Sequence, residues 1–350
     1  MLPPLMGTIS LLSDIRAKFS PKLDPEFTPL SLVLKKSRQL IADGTPSVKL
    51  TFSLERFPGD LSVHQFMVPD PKNDKHGEIK RLVERICKFL LWQQGASRIG
   101  VHSSDGSDIL LKYLAEIYNE NGPRAFDSNM MERAFGSPLV FESLSSCEIE
   151  PNDASKAIGG HLDGCRIGFD LGASDYKLAA VKNGEPVFTT EIPWNPRVEP
   201  DPDWHRNKIN EGLKQAAEKL PRVDAIGGSS AGIIINNEPR VASLFRNVPS
   251  NLFTEKVRPI FRSLAEEWNV PFEVSNDGDV TALAGAMSLK QNGVLGLAMG
   301  SSQAVGFLDQ NGRITGWLNE LAFSPIDFHS SGPVDEWSGD VGCGVQYFSQ

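Results

Sequence analysis

The chain has 350 residues, 40% of them hydrophobic and 23% charged, a balance that suits two or three compact units and excludes a disordered or fibrous polypeptide. Its formal charge of −9, with no long basic run, argues against nucleic acid as a partner, because that affinity rests on Lys and Arg displacing counterions. No window has the uncharged apolar length that a membrane span needs, and Met1–Gly7 lacks the basic start of a secretory signal, so no membrane association and a cytoplasmic location are expected.

The first half reads as a small α+β domain over residues 1–150. Val48–Leu54 and Leu61–Val68 flank Phe57-Pro-Gly-Asp60, a strand, turn and strand. Glu78–Gln94 sets Ile79, Leu82, Val83, Ile86, Phe89 and Leu90 on one helical stripe, and Gly95 ends it. A strand at Arg98–His102 and a helix over Ser107–Asn119 follow, closing at Asn121-Gly122-Pro123. A DNA-binding pair of helices is disfavoured, since a strand separates them and the local charge is not basic. The role of this domain is not assigned to any chemistry.

Residues 151–164 lie in a stretch poor in bulky apolar groups and rich in Ser, Gly, Asp and Asn, the composition of a solvated linker. Beyond it Arg166–Phe169, Leu178–Val181 and Val187–Ile192 read as three antiparallel strands, with Lys182-Asn-Gly-Glu185 as a hairpin turn. A helix at Asp203–Lys219, a strand at Ala225–Gly228, a helix at Thr254–Trp268, a strand at Phe272–Ser275 and a helix at Gly278–Leu289 complete the pattern. Three strands followed by strand and helix in alternation give the order of a ribonuclease-H-like lobe. The expected fold class is α/β: one such lobe over 165–290, part of a second over 291–350, and the α+β domain before them.

Phosphoryl transfer from ATP needs a cradle for phosphate oxygens, a carboxylate to place magnesium and a base aimed at the attacking hydroxyl. In Asp170-Leu-Gly-Ala-Ser-Asp-Tyr-Lys177, Gly172 would let backbone approach phosphate, Ser174 and Lys177 could donate hydrogen bonds, and Asp170 could hold magnesium through water. A structural hairpin turn uses the same residue types. Val274-Ser-Asn-Asp-Gly-Asp279 ends a strand and opens a helix, so Asp277 is either a base or a helix cap. Leu297–Gly306 joins two apolar strands through Gly300-Ser301-Ser302, a phosphate-binding turn or a plain hairpin.

Together these motifs resemble the ROK family within the sugar kinase, Hsp70 and actin superfamily, from Arg166 to Gln350 and in family order. The resemblance implies an actin-like, ATP- and Mg2+-dependent kinase acting on a hexose or hexose derivative. It implies a first phosphate motif at Asp170, Gly172, Ser174 and Lys177 and a second at Gly300, Ser301 and Ser302. Ala231-Gly232 would lie beside the sugar, Asn276 would hold its hydroxyls, Asp277 would take the proton, and Glu320 would be a further sugar ligand. A homodimer is compatible with it.

Two departures stand out. Family members hold zinc with one His and three Cys; here Phe323 takes the His position, and Val341 and Phe348 stand where two of the Cys would be, leaving Cys343. One thiolate cannot close a tetrahedral site, so no structural zinc is expected, with apolar packing in its place. Gln350 occupies the position of another sugar-binding Glu, which leaves the identity of the sugar open. The four cysteines Cys87, Cys147, Cys165 and Cys343 have no CxxC spacing and read as reduced thiols. The sequence also stops before a second lobe would be complete, which reads as a fragment. The competing expectation is a sugar-responsive binding or regulatory protein with little or no turnover.

Overall fold

The computed structural model describes residues 10–13, 15, 17–299 and 302–349. Two compact units result: 1–154 with 299–304 and 316–350, and 155–298 with 305–315.

The first unit opens with helix α1 (Leu30–Ala42). Strands β1 (Ser47–Phe57) and β2 (Asp60–Pro69) form the expected hairpin and precede helix α2 (Glu78–Gln94). Strand β3 (Arg98–Ser103), helices α3 (Ile109–Ile117) and α4 (Ala125–Phe135), and strand β4 (Val140–Ser143) complete a sheet of order β2-β1-β3-β4. Leu82, Val83 and Leu91 of α2 are fully buried, as the apolar stripe requires. Arg56 is buried too, held by Asp60 at 2.5 Å and Asp153 at 2.8 Å.

The stretch expected to be a solvated linker is tied in its first half. Asn152 exchanges backbone hydrogen bonds with Leu61, and β5 (Ser155–Lys156) forms a short ladder further along the chain. Its lack of bulky apolar residues reflects exposure, not freedom from backbone pairing.

The second unit is built on β6 (Cys165–Leu171), β7 (Asp175–Lys182) and β8 (Glu185–Pro193), three antiparallel strands in sequence. Helix α5 (Pro202–Ala217) leads to β9 (Ala225–Ser230), which lies parallel to β6. The hairpin β10 (Ile233–Ile235) and β11 (Glu238–Val241) turns through Asn236 and Asn237, both with positive φ. A short turn α6 (Ser250–Leu252), helix α7 (Ile260–Trp268), strand β12 (Phe272–Asn276) and helix α8 (Asp277–Leu289) follow. The five-stranded sheet has the order β12-β9-β6-β7-β8, with β12 parallel to β9. A meander extended on its first strand by two parallel strands is the topology of a ribonuclease-H-like, actin-like lobe.

Alternation along β6 explains the layers. Ile167, Phe169 and Leu171 are buried, whereas Arg166, Gly168 and Asp170 are only partly so and share the opposite face. Ile209 and Leu213 of α5 and Phe261 and Leu264 of α7 join the buried cluster. Gly212 lets α5 approach closely, since a Cβ there would overlap Tyr176. The helix expected over Thr254–Trp268 is broken: a π-helical turn spans Phe253–Val257, and α7 begins only after Pro259. Pro259 has no N–H to continue the ladder, and its ring crowds the carbonyl four residues earlier.

Strands β13 (Leu295–Met299) and β14 (Gln303–Phe307) form a two-stranded sheet, and β15 (Ile314–Thr315) pairs with β5. Residues 316–350, expected to continue a second lobe, cluster instead with the first unit and end in the short helix α9 (Val345–Phe348). Phe323 packs with its ring tilted, 4.4 Å from Trp92 and 5.3 Å from Phe126. Asp340 enters a buried charge network with Arg85 at 2.8 Å, Lys88 at 2.7 Å and Arg124 at 2.6 Å, completed by Glu84 and Asp127. Burial works to raise the Asp340 pKa, but Arg85 and Lys88 outweigh it and hold the carboxyl below its usual range. Packing and a neutral set of buried charges therefore order this segment.

Candidate active site

The parallel strands β6, β9 and β12 end side by side. Their register sets Asp170 against Ser229, Ser229 against Ser275, and Ser230 against Asn276. Ligands of open α/β sheets sit beyond the carboxyl ends of such strands. The Ser229 hydroxyl donates a hydrogen bond to Asp170 Oδ1.

Asn276 caps α8. Its Oδ1 accepts from the Gly278 N–H at 2.7 Å, and its Nδ2 donates to the Gly232 carbonyl at 2.8 Å. The Gly232 backbone requires glycine, with φ of +110° and no room for a Cβ beside Val241 and Ala242. Asp277 is the first residue of the helix and half-buried. Burial first, and then the negative charge of Asp170, raise its pKa, against a lowering hydrogen bond from the Gly278 N–H. Capping therefore belongs mainly to Asn276, which leaves Asp277 with a carboxyl destabilised in its charged form.

Gly278 and Gly306 seat this helix on β14. A Cβ on Gly278 would overlap the Val305 backbone, and one on Gly306 would overlap the Gly278 carbonyl and the Asp279 backbone. The position of Asp277 thus depends on a backbone contact that no larger residue permits.

The turn after β6 is closed by its own hydrogen bonds. The Gly172 N–H donates to the Asp175 carbonyl at 2.9 Å, and the Ser174 hydroxyl donates to the Asp175 carboxylate at 2.7 Å. Trp194 clamps the turn from outside, its indole donating to the Gly172 carbonyl at 3.0 Å. The Gly172 N–H is therefore engaged inside the hairpin. Lys177 pairs in register with Asp170 on one side and Glu191 on the other. These residues line an open groove of about 590 Å³ with Gly168, Ala179 and Thr189.

Of the expected site residues, Asp170, Gly172, Ser174, Lys177, Gly232, Asn276 and Asp277 belong to the second unit. Ser302 and Glu320 belong to the first. Gly300, Ser301 and Gln350 lie outside the described residues. Ser229 was not expected: the strand reading stopped at Gly228, and only parallel register reveals its partner. Among the described residues no group of three or more His, Cys, Asp or Glu could hold a metal ion, and no helix is long and apolar enough to cross a membrane. Cys87, Cys165 and Cys343 are buried free thiols and Cys147 is half-buried. Burial pushes the Cys343 thiol up to about 12.

No family model matches the sequence, and no curated protein is significantly similar to it. Solved structures do match. A ROK hexokinase from Thermus thermophilus is 20% identical with a TM-score of 0.40, over 51% of this chain and 57% of that one. A ROK family transcriptional regulator, described as a homolog of the E. coli MLC protein, is 19% identical with a TM-score of 0.42, over 52% and 46%. A Parabacteroides distasonis glucokinase is 15% identical with a TM-score of 0.35, over 43% and 46%. The chain spans about half the length of these structures.

Proposed function

We propose that the protein is an ATP-dependent kinase of a hexose or hexose-derivative hydroxyl, with Asp277 as general base. The observation that carries this reading is a half-buried carboxyl beyond the ends of three parallel strands, its pKa raised by burial and by the charge of Asp170. A base works best when its pKa lies near the working pH, and burial together with Asp170 moves Asp277 in that direction. Asn276 uses two of the four hydrogen-bonding positions of its amide internally and keeps two for a sugar hydroxyl.

Asp170, its carboxylate steadied by Ser229, fits a role in holding magnesium through water. Bound magnesium would neutralise charge on the transferring phosphoryl group. Lys177 and residues 300–302 are the proposed phosphate contacts, with Glu320 and Gln350 as further sugar contacts. The proposed location is the cytoplasm.

A second reading, a sugar-responsive binding or regulatory protein, is favoured by one specific feature. The donors of Gly172 and Ser174 are satisfied within their own turn, which leaves a poorer phosphate cradle. ADP release measured against a panel of hexoses and amino sugars separates the two. Sugar-stimulated release supports the kinase; sugar-induced thermal stabilisation without release supports the sensor.

A further inference from the structure

Three arginines meet one carboxylate on the second unit. Glu238, on β11, is contacted by Arg240 at 2.7 Å, by Arg258 at 3.5 Å, and by Arg262. No other ion pair of these arginines is present among the described residues, so the cluster carries two positive charges in excess. Arg258 follows the π-helical turn and Arg262 lies in the first turn of α7, so two like charges converge on the same carboxylate. Arg240 is largely buried, and its Nε has no acceptor among the described residues. Arg262 remains more than half exposed, so its remaining donors face solvent.

Glu238 accounts for the orientation of the three side chains but not for their number. Guanidinium groups fixed by one carboxylate present their other N–H groups as a preset fork, the geometry that matches a tetrahedral oxyanion. We propose that Arg240, Arg258 and Arg262 form a binding site for a phosphate group, free or as a phosphomonoester, outside the sugar site. Nothing in this proposal requires phosphoryl transfer by Asp277.

The site also bears on the rest of the unit. Its hairpin is fixed to β12 through Asn237, whose Nδ2 donates to the Phe272 carbonyl at 2.8 Å and whose Oδ1 accepts from the Val274 N–H at 2.7 Å. Gly232, which anchors Asn276, precedes the same hairpin. An anion that bridges β11 to α7 would thus stiffen the support of Asn276.

Calorimetric titration in phosphate-free buffer, with inorganic phosphate and separately with glucose 6-phosphate, tests the proposal on the whole protein. Using the Asp277→Asn variant keeps any turnover silent, so failure of the kinase reading leaves this result unaffected. The expected outcome is saturable binding that R258Q/R262Q weakens by about tenfold or more, while E238Q tightens it by removing the competing carboxylate. Binding of the sugar phosphate alone would identify a phosphomonoester site; equal binding of both would identify a phosphate site. Absence of saturable heat with either probe, or unchanged affinity in a folded R258Q/R262Q variant, would overturn it.

Discussion

Asp277 and Asp170 are electrically coupled: after burial, the charge of Asp170 is what raises the Asp277 pKa, although the two lie 107 residues apart in sequence. The coupling follows from the sheet, which sets β6 and β12 on either side of β9 and ends all three together. In the proposed role such a site trades stability for chemistry, since a carboxylate held in an unfavourable place is available to accept a proton.

That trade gives a stability prediction with a definite sign. A carboxyl whose folded pKa is raised binds protons more readily in the folded state, so folding is favoured as pH falls through the folded pKa and is penalised above it. Asp277→Asn should therefore melt higher than wild type at pH 7, with the gap closing as pH is lowered through the carboxylate range. Melting curves across pH check this; a constant gap at all pH values contradicts it.

The close seat of α8 gives a second prediction. Gly306→Ala forces a methyl group against the Gly278 carbonyl, and neither partner is a flexible side chain. The expected cost is about 1–3 kcal/mol, typical of overpacking, with a loss of Asp277-dependent activity beyond what stability explains. Urea unfolding at wild-type midpoint would show that the contact relaxes freely.

The charge network of the first unit should be unforgiving. Asp340→Ala leaves Arg85, Lys88 and Arg124 facing only Glu84 and Asp127 in a buried setting. Removing one partner of such a network costs about 3–5 kcal/mol. Equilibrium denaturation measures it, and a loss under about 1 kcal/mol would be typical of a solvated surface pair instead.

His205 supplies a pH effect of the opposite kind to Asp277. It is fully buried among Trp194, Trp204 and Phe245, and burial lowers its pKa. Below the ordinary histidine value of about 6.5 the unfolded chain gains a proton that the folded one resists, so stability falls with pH until the folded pKa is reached. Denaturation midpoints at pH 7.5 and 5.5 should differ less in His205→Phe than in wild type.

The sequence carried the lobe well because its signals were local. The alternation of β6, the Asn-Gly turn between β7 and β8, and the apolar stripe of α2 each lie within one window. Asp170, Asn276 and Asp277 were readable as candidates for the same reason. What escaped was set by distant contacts: the Ser229 hydroxyl on Asp170, and the glycine contact between α8 and β14. The β10 and β11 hairpin had a local signal in Asn236-Asn237, and the break before α7 had one in Pro259. The contacts of Phe323 with Trp92 and of Asp340 with Arg85 were not readable either, because the partners lie more than 200 residues apart in sequence.

Asp277 as the base is tested most directly by sugar-dependent ADP release from wild type and Asp277→Asn under identical conditions, with sugar binding followed in parallel. Loss of a general base predicts turnover reduced by about 10²–10⁴-fold with sugar affinity nearly unchanged. Equal turnover in the two proteins would remove Asp277 from the chemistry.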